Sequence, residues 1–281
     1  MIETDVQLDD GRTLHVYDTG EDPDHPVTVF WHHGTPNIGA PPRPLFPASD
    51  RLGIRWVSCD RAGYGGSTPA PGRTVASVAT DVAAVVDGLG IERFAVMGHS
   101  GGSPHAMACA ALLPRRVLAV VAVSGLAPYG AEGLDWFAGM ADGGVASLSA
   151  AAGGREAKER HEASDPDLDL GFVPADEAAL SGEWSWVLDV VRPALAAGPG
   201  PLIDDDLAYV SPWGFDPTDV QAPILFVHGM DDRVVPSTHS AWLAARCRRS
   251  ELWLLPGEGH VSVLSAGEAA LDWLSGPFCR P

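Results

Sequence analysis

Apolar residues in this chain fall into short runs, and each run stops at a cluster of turn residues. Residues 11–17 alternate apolar and polar positions after the pair Asp10-Gly11, which predicts one strand of a hairpin. Val27–His32 is continuously apolar and ends in His33-Gly34-Thr35-Pro36. Residues 55–59 form a similar run that ends in the segment from Asp60 to Ser67. Residues 94–97 lead into Gly98-His99-Ser100-Gly101-Gly102, and Val117–Val123 leads into Ser124-Gly125. Residues 224–227 stop at His228-Gly229, and residues 252–255 stop at Pro256-Gly257. Runs without alternation are strands covered on both faces, the habit of central parallel strands. Helical spacing lies between them, at residues 74–89, 103–113, 238–246 and 266–274. Strands alternating with helices predict an α/β fold with a doubly wound, mostly parallel sheet.

The alternation lapses between residues 130 and 215, where no strand pattern is visible. Leu180, Trp184, Val187, Leu188, Val191 and Leu195 recur at helical spacing. This segment is expected to be an inserted helical lid on a core formed by residues 1–129 and 216–281. It holds 16 acids and four bases, so −12 of the chain's formal charge of −19 falls on it. The expected form of that charge is a solvated acidic surface. A strongly acidic protein repels phosphates, so neither nucleic acid nor an anionic membrane is an expected partner.

The length of 281 residues fits one large α/β domain with an insertion. Cys59, Cys109, Cys247 and Cys279 are far apart, with no CxxC pair, so neither a disulfide framework nor a metal site is expected. Cys59 and Cys109 lie in apolar runs and read as buried small residues. The first residues lack an apolar signal core, and no apolar run is long enough to span a bilayer. A cytoplasmic location follows as the expectation.

The candidate chemistry gathers at the strand ends. Gly98-His99-Ser100-Gly101-Gly102 fits G-x-S-x-G between a strand and a helix. A tight turn lifts a serine hydroxyl clear of the sheet, and the glycines two residues either side keep the turn from colliding with itself. A serine needs a base beside it. Of ten histidines, His260 closes the loop that follows the last predicted strand. His15, His25 and His161 read as surface residues. His33 and His228 read as turn or packing residues, His99 and His105 as packing or pocket residues. His239, on a predicted helix, reads as exposed. A carboxylate must orient the base. Asp231 and Asp232 compete, and Asp232 is favoured by its place between Gly229 and Pro236. Two backbone N–H groups must face the developing oxyanion, and Gly101 and Thr35 are the candidates.

Taken in order, His33 to Pro36, Asp60 to Ser67, Gly98 to Gly102, Gly229 to Pro236 and Gly257 to His260 resemble the α/β-hydrolases. Trp213-Gly214-Phe215-Asp216 is similar to the return from lid to core in that family. The resemblance implies an eight-stranded sheet, a lid over a pocket, and a triad of Ser100, Asp232 and His260 in the family's chain order. It implies an acyl-enzyme hydrolase with no cofactor and a small-molecule substrate. A carboxylic ester of small to medium size is the first expectation. An amidase or aminopeptidase of the proline iminopeptidase type is the second, although those enzymes usually read HGGPG and GGSWG where this chain reads His33-Gly34-Thr35-Pro36-Asn37 and Gly98 to Gly102. Haloalkane dehalogenases carry Asp at the position of Ser100, whereas cofactor-free haloperoxidases use the same triad. A third expectation is a binding or signalling homologue with little turnover. Trp136, Trp184, Trp186 and Trp213 are candidates for lining the pocket, or for packing the lid on the core.

Overall fold

The computed structural model describes residues 1–20, 27–164 and 168–276. His25, Asp165, Asp167 and Cys279 lie outside the described residues. Eight strands form one sheet: β1 Ile2–Gln7, β2 Thr13–Asp18, β3 Val27–His32, β4 Ile54–Cys59, β5 Phe94–His99, β6 Val117–Val123, β7 Ile224–Gly229 and β8 Ser250–Leu255. Their order across the sheet is β1-β2-β4-β3-β5-β6-β7-β8. β2 is antiparallel to both β1 and β4, and every later pairing is parallel.

Successive side chains of a strand point to opposite faces, so an unbroken apolar run feeds two cores at once. Phe30, Val57, Val96, Ala122 and Phe226 enter one core. Their neighbours Trp31, Trp56, Met97, Val123 and Leu225 enter the other. Helices α1 (Phe46–Leu52) and α10 (Gly267–Leu274) cover the second core. Helices α2 (Val78–Gly88), α3 (Gly102–Leu112) and α9 (Thr238–Ala244) cover the first. The sheet is thus wound on both faces, as the strand pattern predicts.

Between β6 and β7, the described residues form five α-helices and no strand: α4 Asp142–Ala152, α5 Arg155–Ser164, α6 Pro174–Ser181, α7 Trp186–Ala194 and α8 Gly200–Val210. Their acids do not form one solvated face. Asp176 and Asp205 are fully buried, and Asp204 and Asp206 nearly so. Lys158, the one lysine of the sequence, is buried as well. Among the described residues, no helix is long and apolar enough to cross a membrane.

Candidate active site

β5 ends at His99, and the chain turns sharply into α3. Ser100 takes φ of 55°, a left-handed conformation that non-glycine residues avoid. Such strain persists only where neighbouring structure enforces it. Here Ser100 N–H donates to Val123 O at 2.8 Å, and the Ser103 hydroxyl reaches Gly98 O and Val123 O at 2.9 Å each. A Cβ on Gly98 would meet the backbone of Gly102, and a Cβ on Gly102 would meet His32 O. The glycines of the motif therefore allow the turn and its seat on β3.

The structure brings Ser100, His260 and Asp232 together from three separate loops. His260 Nε2 lies 2.8 Å from Ser100 Oγ, and His260 Nδ1 lies 2.8 Å from Asp232 Oδ2. Asp232 takes the position beside the ring, while Asp231 is exposed with its N–H on Glu258 O. The second oxygen of Asp232 accepts from Val234 and Val235 N–H at 2.9 Å each. His228 Nε2 lies 3.3 Å from Asp232, and its Nδ1 lies 2.7 Å from Ser240 Oγ. Burial disfavours charge on Asp232, but His260 and His228 outweigh it and hold its carboxyl well below the usual range. Burial likewise disfavours protonated His260, yet the charge and hydrogen bond of Asp232 raise its pKa above 6.5. The ring is therefore a stronger base than a free imidazole. His99 is no rival base. Its ring contacts His260 O through Nε2 at 2.9 Å, and burial pushes its pKa down to about 3.

Ser100 opens on a cavity of about 260 Å³ with Thr35 and Gly101 on its wall. Leu126, Leu148, Leu170, Phe172, Leu202, Val234 and Val235 make most of that wall apolar. Among the described residues of that wall, Asp206 is the one carboxylate, and Lys158 Nζ binds it at 2.6 Å. Among the described residues, the N–H groups of Gly101 and Thr35 have no acceptor.

A buried charge cluster supports the Thr35 loop from beneath. Arg61 donates to the carbonyls of His33 and Gly34 and to Thr35 Oγ1. Asp205, from α8, pairs with Arg61 at 2.7 Å and Arg73 at 2.6 Å, and accepts from Thr35 Oγ1 at 2.5 Å and Tyr64 Oη at 2.9 Å. Tyr209 Oη donates to Gly101 O at 3.0 Å. The sequence offered Arg61 only as part of the segment from Asp60 to Ser67, and Asp205 only as one of three consecutive acids. Neither local pattern shows that they meet.

The tryptophans take the packing alternative, and the expectation for His239 changes. Trp136, Trp184, Trp186 and Trp213 do not line the cavity beside Ser100. Trp136 bonds Ala127 O and packs on His239, and Trp213 bonds Tyr209 O, while Trp186 stacks edge-on against Trp31 and Trp184. All four rings are buried, where aromatic side chains contribute large apolar area to a core. His239 is buried rather than exposed. Its Nδ1 accepts from Ala127 N–H, its Nε2 donates to Trp136 O, and burial lowers its pKa to about 4.

The model of the alpha/beta hydrolase fold family matches residues 27–266. The chain belongs to that family, and its enzyme class is hydrolase. It is 30% identical over 266 residues to 2-hydroxy-6-oxononadienedioate/2-hydroxy-6-oxononatrienedioate hydrolase 2 of Pseudomonas putida, covering 88% of this chain and 85% of that one. A thermophilic esterase from Thermogutta terrifontis is similar in structure, with TM-score 0.68, 19% identity and 98% of both chains covered. So is a bromoperoxidase from Bacillus anthracis, with TM-score 0.72, 21% identity, and 97% of this chain and 98% of that one covered.

Proposed function

We propose that the protein hydrolyses a small to medium carboxylic ester through an acyl-enzyme on Ser100. The observation that carries this is the pair of 2.8 Å contacts from His260, one to Ser100 Oγ and one to Asp232, at the wall of a cavity. Ser100 Oγ attacks the ester carbonyl carbon as its proton passes to His260 Nε2. Asp232 stabilises the imidazolium and fixes its tautomer. The carbonyl oxygen gains negative charge and takes hydrogen bonds from the N–H groups of Gly101 and Thr35. When the C–O bond breaks, His260 gives its proton to the leaving alkoxide. Water then attacks the acyl carbon as His260 takes its proton. Collapse of the second intermediate releases the carboxylic acid and returns a proton to Ser100. All of these steps use groups of the chain itself.

The wall of the cavity supports an apolar acyl group. A cavity of about 260 Å³, just under the range of about 300–1,000 Å³ common for ligand sites, supports a small acyl group. An aminopeptidase would need a carboxylate free to hold the substrate's ammonium, and Asp206 already binds Lys158. In this reading residues 130–215 act as a lid on a core of 1–129 and 216–281. Buried free Cys59, Cys109 and Cys247 and the net charge of −19 support a cytoplasmic enzyme with a small-molecule substrate. The test is a panel of p-nitrophenyl acyl esters against aminoacyl p-nitroanilides. Short and medium esters should turn over and the anilides should not. Clear anilide turnover with little ester cleavage would replace the esterase by a peptidase.

A further inference from the structure

The helical segment between β6 and β7 also meets the loop that carries His260, through its main chain. Asp176 is the third residue of α6, behind Pro174 at the first turn, and its side chain is fully buried. Among the described residues, no cationic side chain pairs with it. Four backbone N–H groups donate to it instead. Val173 N–H, at the start of its own helix, is 3.1 Å away. The other three are consecutive residues of a distant loop: His260 at 3.2 Å, Val261 at 2.7 Å and Ser262 at 2.9 Å. The reach-back of an acid at the third helical position to the N-cap N–H needs only the first of these bonds. The loop is shaped for the approach, because a Cβ on Gly259 would collide with the Asp176 carboxylate and with Val173. From the other side, His99 Nε2 donates to His260 O. The main chain of His260 is thus gripped at its N–H by Asp176 and at its carbonyl by His99, the last residue of β5.

We propose that Asp176 is a positioning residue: it fixes the loop that carries His260, so the insertion is part of the catalytic apparatus as well as its cover. The role in turnover rests on His260 being the base for Ser100. The titratable groups that face His260 are Asp232, His228 behind Asp232, His99 and Asp176. Burial opposes charge on the ring, Asp232 outweighs it, and the Asp176 carboxylate acts in the same direction as Asp232.

The variant Asp176→Asn keeps the shape but turns one acceptor into a donor facing N–H groups. With p-nitrophenyl acetate, kcat should fall about 10- to 100-fold, with KM nearly unchanged, because the base is misplaced rather than the cavity. The midpoint of the rising limb of kcat/KM should move to lower pH. A part that merely holds the fold would lower the melting temperature and leave that midpoint in place. A folded variant with kcat within about twofold of wild type, or with an unmoved midpoint, overturns the proposal. A measurement on the wild-type protein needs neither substrate nor variant. The amide protons of His260, Val261 and Ser262 should resist exchange as β7 amides do, and free exchange at all three overturns the proposal even if Asp176→Asn does not fold. Ser100→Ala separates the two readings. Full activity in that variant defeats the nucleophile assignment, while its amide exchange still reports whether Asp176 holds the loop.

Discussion

Two buried aspartates, one behind His260 and one beneath the Thr35 loop, share an electrostatic direction, yet they differ in kind. Asp232 and Asp205 both lose solvation on folding, and both are held well below the usual carboxylate range. Asp205 is surrounded by groups whose charge does not change near neutral pH: Arg61, Arg73, Tyr64, Thr35, and His105, whose Nε2 is 3.8 Å away and whose pKa burial pushes down to about 4. Asp232 faces His260 and His228. The first cluster is an electrostatic rivet joining α8 to the loops after β3 and β4. The second is a carboxylate set against a ring that can take and return a proton, with a hydroxyl on the far side. A perturbed carboxylate marks chemistry only when its partner can change charge and can reach a reacting atom.

Asp232→Asn tests one side of this contrast. Removing the charge deprives His260 of its orienting partner, and kcat should fall by about 10⁴-fold. In the wild type, His260 must be neutral to accept a proton. Its pKa is raised above 6.5, so kcat/KM should rise with pH through a midpoint above that value. In Asp232→Asn the midpoint should move down. A loss below about tenfold with no shift would mean that Asp232 does not serve His260.

Asp205→Ala tests the other side. It leaves two arginines buried without their counter-ion, and should cost about 3–5 kcal/mol of stability in chemical unfolding. The sign of its pH dependence is fixed. Its folded pKa lies below the unfolded value of 3.8, so its contribution is present above that value and is lost as pH falls further. The wild type should therefore weaken in acid more steeply than the variant. Equal stability of the two at neutral pH would remove the rivet. A much smaller effect is expected at Arg43 and Asp189, which pair while more than half exposed. Asp189→Asn should change stability by no more than about 1 kcal/mol in the same assay.

The contrast also separates what was legible in the sequence from what was not. Strands β3 to β7 are fed from both faces, so their apolar runs stand out, and each site residue sits at a strand end where turn residues mark it. Ser100, Asp232 and His260 could be found this way. β1 could not, because it is an exposed edge strand whose Ile2, Thr4 and Val6 alternate with Glu3, Asp5 and Gln7 over only six residues. α1 spans seven residues, too few to show a helical period. The acids of the insertion were harder. Asp176, Asp205 and Asp206 look like the solvated acids around them, since their partners lie 84, 144 and 48 positions away in Asp176–His260, Arg61–Asp205 and Lys158–Asp206. Pairing across such distances leaves no local period. For Asp176 the one local sign was Pro174 and an acid at a helix start, which announces a cap and not a second role.

The central claim is that Ser100 is the nucleophile and that His260 activates it. Its most direct test is labelling with a fluorophosphonate probe, followed by mass analysis of the peptide that contains residue 100. Wild type should carry one adduct on Ser100, Asp232→Asn should label far more slowly, and Ser100→Ala should not label. An unlabelled wild type, or an adduct retained in Ser100→Ala, would contradict it.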